Sequence, residues 1–121
     1  MYGVAVCTGM PYIAGVKDVV ELASYLAAAD DAGLDEAALE AIVDTLASQP
    51  DIGDLIAGSG GARKFRWARR NEGKSGGYRI ITYYPGAERV CLIDVFAKNA
   101  KANLDKAELN ALKKLTATLE R

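Results

Sequence analysis

The spacing of apolar residues changes near the middle of this chain, and that change limits the folds open to it. Before Gly58-Ser59-Gly60-Gly61, apolar residues recur every three or four positions, as on a helix; after it they alternate, as on a strand. From about Val16, the residues Val19, Val20, Leu22, Ala23, Leu26 and Ala27 predict a first helix, ended at Asp30-Asp31-Ala32-Gly33. Asp35 suits the N-cap of a second, with Leu34 and Leu39 placed for a hydrophobic staple and Pro50 to close it. The short loop between the helices predicts a hairpin. Val4 and Val6 read as a short strand before them.

Three strands follow: Lys64 to Ala68, Tyr78 to Tyr84, and the more continuously apolar Arg89 to Ala97. Asp105 with Glu108 three residues on has the form of a capping box, and Leu109, Leu112, Leu115 and Leu119 line a last helix. Helices grouped before meandering strands predict an α+β fold. At 121 residues, half of them hydrophobic, the chain is expected to fold as one domain, residues 1–121, without disulfides or metals.

The net charge of −1 conceals an asymmetry. Residues 1–60 carry one basic residue against ten acidic, a net −9; residues 61–121 carry fourteen against six, a net +8. The split predicts a basic working surface beside an acidic scaffold. Cys7 and Cys91 lie far apart and outside any C-x-x-C, so they read as free thiols of a reducing compartment. No His is present, which argues against a zinc site, and no cofactor is expected. The apolar start lacks the positive region of a signal peptide, and no run is long enough to span a membrane. A cytoplasmic protein is the expectation.

Gly73-Lys74-Ser75 has the end of a phosphate loop, but position 68 is Ala and a strand follows instead of a helix, so that reading is set aside. The stretch RKFRWARRNEGKSGGYR is more informative. Lys64 and Arg66, two apart on a strand, project from one face. Arg79 on the next strand, Lys98 at the end of the third and Lys74 on a loop can join them. Solvated anti-aggregation charges are the plainer explanation; a polyanion-binding face is the sharper one. If the polyanion is RNA, metal-free cleavage needs a base for the ribose 2′-OH, cations for the phosphate and an acid for the leaving 5′ oxygen. A Lys among cations suits proton transfer, Arg the electrostatic role, and Tyr78, Tyr83 or Tyr84 base stacking or packing.

The pieces LASQPDIGDLIAGSGGARKFRWAR, GKSGGYRIITYY and VFAKNAKANL, continued by DKAELNALKKL, together resemble the RelE/HigB-type toxins of bacterial toxin–antitoxin pairs, in the RelE/ParE superfamily. They cover about two-thirds of the chain in the family's order; the first 30 residues have no clear counterpart. The resemblance implies a microbial-ribonuclease-like α+β fold: a twisted antiparallel sheet with an N-terminal helical hairpin and a C-terminal helix. It implies a ribosome-dependent mRNA endonuclease, held inactive by an antitoxin, often a helix-turn-helix DNA-binding protein. Lys64, Arg66, Arg79 and Lys98 are then the expected catalytic group. Lys64 and Lys98 serve proton transfer, and Arg66 and Arg79 transition-state stabilisation. Arg63, Lys74, Arg69, Arg70 and Lys101 are expected to contact RNA, with Arg63 ranked lower because alternation turns it to the other face. Some relatives carry a catalytic Tyr near the C-terminus, whereas this chain has no aromatic residue after Phe96. Two alternatives stay open on the same fold: a ParE-like gyrase blocker without enzymatic activity, and an inactive copy that binds its antitoxin or RNA.

Overall fold

A computed structural model of the chain describes residues 5–7, 18–68, 77–85, 89–97 and 104–119. Its elements run β1 (Ala5–Cys7), β2 (Asp18–Leu22), α1 (Ala23–Ala32), α2 (Glu36–Ser48), β3 (Asp54–Leu55), β4 (Ala62–Trp67), β5 (Tyr78–Tyr83), β6 (Arg89–Ala97) and α3 (Lys106–Leu119). The strands form one sheet in the order β1-β2-β6-β5-β4-β3. This is the α+β architecture expected, with the helical hairpin and the C-terminal helix in their places.

The helix ends follow local chemistry. The Asp35 carboxylate accepts from Ala38 N at 2.8 Å, and Leu34 and Leu39 both pack on the core beside it. Gly33, at φ 82°, turns the chain out of α1, its N–H reaching back to Ala29 and Asp30 carbonyls. The capping box before α3 is reciprocal: Glu108 N donates to Asp105 Oδ1 at 2.8 Å, and Asp105 N donates to Glu108 Oε1 at 3.0 Å.

One helical expectation is corrected. Residues 18–22, read as the start of the first helix, form β2, which lies between β1 and β6 with both neighbours paired. Val19 packs toward the hairpin and Val20 and Leu22 toward the other face, so a strand buried on both sides mimics a helical stripe. The β2–β6 ladder is parallel, while the other four pairings are antiparallel. The two-residue edge strand β3 carried no periodic signal.

Both faces of the sheet are covered. On one, Tyr25 and Ala29 of α1 and Ile42 and Leu46 of α2 pack against Phe65, Tyr78, Ile80, Val90, Leu92 and Val95. On the other, Leu112 of α3 packs with Ala62, Ile81, Tyr83, Cys91 and Ile93. α3 is fastened to the turn before β4 by Thr116, whose buried hydroxyl donates to the Ser59 carbonyl at 2.9 Å. Gly60 in that turn has φ 80°, and a Cβ there would overlap the Thr116 hydroxyl. Cys7 and Cys91 flank Val20 on adjacent strands, two strand spacings (about 10 Å) apart, beyond disulfide reach. Among the described residues no helix is long and apolar enough to cross a membrane.

Two buried acids face the cores. Burial raises the Tyr25 phenol, with Glu21 adding to the effect, and burial raises the Cys91 thiol, partly offset by Arg89. Both therefore hold their protons more tightly in the folded chain. Their contribution is complete below the ordinary thiol range and is lost as pH rises and the unfolded chain deprotonates first. The urea midpoint is expected to fall from about pH 8.5 upward, less steeply in Tyr25→Phe. Gly60→Ala is expected to cost about 1–3 kcal/mol in the same measurement at neutral pH, because it combines a left-handed φ with an overlap on α3.

Candidate phosphate-binding face

Strand β4 divides its side chains by parity. Phe65 and Trp67 pack under the helical hairpin, and Phe65 meets Trp67 edge-on at 6.5 Å between ring centroids. Ala62, Lys64 and Arg66 therefore belong to the face that α3 covers. α3 sits over the Ala62 end of that face. The opposite end carries Lys64, half-buried, and Arg66, exposed.

The register then assembles the cations. Arg66 stands directly opposite Arg79, and Arg79 opposite Phe96, in one row across β4, β5 and β6. Lys64 stands in the next row, opposite Ile81, which is opposite Asp94. Directly opposed residues root their side chains about 4.5–5.5 Å apart, and like charges so placed destabilise a sheet. Arg79 is half-buried, and its Nε is buried without a hydrogen-bond partner among the described residues. Among those residues, no carboxylate forms an ion pair with Lys64, Arg66 or Arg79. Two opposed guanidiniums, one with an unanswered buried donor, make a site that an anion with several oxygens completes.

The structure thus brings together three of the four residues expected to be catalytic. Lys98 lies outside the described residues, as do Lys74, Arg69, Arg70 and Lys101. Arg63 is turned from the group, and its Nη1 donates to the Gly53 carbonyl at 3.2 Å. The three tyrosines weighed for RNA contact are packed instead. Tyr78 is buried and donates to the Ala32 carbonyl at 3.2 Å, Tyr83 is buried near α3, and Tyr84 packs at the edge of the hairpin core. Asp54, which sequence patterning did not single out, stands opposite Lys64 on β3. Its only sequence cue was its place after Gly53, a few residues before the cationic strand.

A cluster of carboxylates lies elsewhere. A hollow of about 410 Å³ between β2, α1 and α2 is lined by Glu21, Glu36, Glu40 and Asp44 over Leu26, Leu39 and Val43. It lies on the hairpin side of the sheet, away from the cations. Part of the acidic charge of the first half is therefore held on the opposite side of the sheet from Arg66 and Arg79.

A model of the family described as the RelE toxin of the RelE/RelB toxin–antitoxin system matches residues 27–121. The match takes in the latter part of α1, all of α2, strands β3 to β6 and α3, and so all the cations described above.

Inorganic phosphate or sulfate is expected to raise the melting temperature of the isolated protein. Arg79→Leu is expected to abolish that effect and, by removing an unpaired buried donor and a like-charge contact, to leave the ion-free protein equally stable or more stable by about 1 kcal/mol. Thermal unfolding with and without the anion checks both.

Proposed function

This chain belongs to the RelE toxin family, and we propose that it is a ribosome-dependent mRNA endonuclease that arrests translation. As a toxin of this family it works opposite an antitoxin. The finer reading rests on one observation: Arg66 and Arg79 face each other across β4 and β5 with the Arg79 Nε unanswered. A surface that needs only to grip a protein partner has no use for two opposed guanidiniums. A phosphodiester on its way to a pentacoordinate state gains negative charge on its equatorial oxygens, and fixed cations stabilise that charge more than they stabilise the substrate.

In this reading the chain's own cations do the electrostatic work. Arg66 and Arg79 hold the phosphoryl oxygens, Lys64 stands beside them for proton transfer, and Lys98 joins that role. Arg69, Arg70, Lys74 and Lys101 guide the RNA strand. The acidic hairpin, on the far side of the sheet, repels free RNA and favours a substrate delivered in place by the ribosome. The site of action is the cytoplasm, with mRNA on the ribosome as substrate and a helix-turn-helix antitoxin as the partner that silences it.

Mapping of mRNA 5′ ends after induction in growing bacteria tests the reading. Growth arrest with new ends inside translated codons is expected, and Arg79→Ala is expected to lower their yield at least about 10²-fold. Arrest with supercoiling-defective DNA and intact mRNA would establish the gyrase-blocking alternative instead. A folded chain causing no arrest would be an inactive copy.

A further inference from the structure

The cation face carries a carboxylate whose placement is built with some care. Asp54 and Lys64 are direct cross-strand partners, so their side chains rise from the same face, in the row next to Arg66 and Arg79. A two-residue edge strand would ordinarily fray, but β3 is pinned along its length. Gly53 sits at φ 99° so close to β4 that a Cβ there would overlap the Lys64 carbonyl. The Gly53 carbonyl accepts from Arg63 Nη1 at 3.2 Å, and Ile56 N donates to the Ala62 carbonyl at 2.8 Å. The frame is fixed, yet Asp54 itself is exposed and has no partner among the described residues.

Among the described residues, this face offers few candidate proton acceptors for cleavage. Guanidinium stays protonated, and a lysine ammonium at neutral pH is a donor. The chain has no His. Cys91 is buried, with its thiol raised by that burial. Tyr78 and Tyr83 are buried in the cores. Asp94, another carboxylate on this face, accepts from Val95 N at 2.8 Å and lies beside Leu104, Glu108 and Leu112 where α3 approaches. The charged residues on the same face of β4, the strand that β3 pairs with, are Lys64 directly opposite Asp54 and Arg66 two residues along.

We propose that Asp54 is the general base of the cleavage reaction, with Lys64 beside it as the acid. The proposal rests on the endonuclease reading and deepens it. Asp54 takes the proton of the ribose 2′-OH. The 2′ oxygen forms a bond to phosphorus while the bond from phosphorus to the 5′ oxygen breaks, and that oxygen leaves with the electron pair. The Lys64 ammonium supplies its proton. The products are a 2′,3′-cyclic phosphate and a 5′-hydroxyl end, and exchange with water returns Asp54 and Lys64 to their starting states. Side chains rooted about 5 Å apart on adjacent strands can flank one phosphoryl group held by Arg66 and Arg79.

Single-turnover cleavage of mRNA on programmed ribosomes tests the assignment. Asp54→Asn is expected to lower the rate about 10²- to 10³-fold, with ribosome binding and melting temperature unchanged. Asp54→Glu, keeping the carboxylate, is expected to recover at least about a tenth of the activity. An Asp54→Asn rate within about twofold of wild type, beside an inactive Arg79→Ala, overturns the assignment and leaves the endonuclease reading standing. A wild-type protein that cuts nothing on ribosomes overturns both.

Discussion

The central strands of this protein are buried on both sides, and most of what the molecule can do follows from that. Val90, Cys91, Leu92 and Ile93 of β6 are all buried in succession, as are Ile80, Ile81, Thr82 and Tyr83 of β5. Apolar side chains on alternate faces need cover on each face. The hairpin of α1 and α2 supplies it on one, α3 on the other. α3 is anchored by Thr116 to the turn that starts β4, so its cover is centred on the Ala62 end. The remaining area on that face carries Arg66 and Arg79 opposed, and it is the candidate site.

The separation of charge follows the same geometry. Carboxylates of β2 and α2 surround the hollow on the hairpin side, while the cations occupy the far face. A sheet with a low-dielectric core between its faces keeps the two fields from cancelling locally, so an overall charge near zero coexists with a locally cationic surface. Opposed guanidiniums are an unfavourable cross-strand pair, and on the proposed reading a bound phosphate offsets that repulsion.

The sequence revealed best what is local. Asp35 as a cap, Gly33 as a helix end and the Asp105–Glu108 box each depend on atoms within four residues, and each was readable. Parity alone put Lys64 and Arg66 together and turned Arg63 away. What stayed hidden depends on partners distant in the chain. Val19, Val20 and Leu22 looked helical because a strand buried on both faces shows no alternation, and only pairing with β1 and β6 identifies it. The opposition of Arg66 to Arg79 needs the register of two strands joined by a loop. The place of Asp54 opposite Lys64 needs a two-residue strand that no periodicity announces. The tyrosines were ambiguous for a related reason: a phenol serves a core and a binding face equally well until its hydroxyl is seen to meet a carbonyl such as that of Ala32.

The parallel ladder between β2 and β6 has a consequence for how the protein is born. Asp18 pairs with Arg89, 71 residues later in the chain, so β2 leaves the translating machinery well before its neighbour exists. At about 5–20 residues per second, that wait is roughly 4–14 s. Strands β4 and β5 can pair earlier, but the sheet that supports them gains its most buried member only once β6 has been made. Until then β2 lacks its partner on that side, and the hairpin has no β6 to cover.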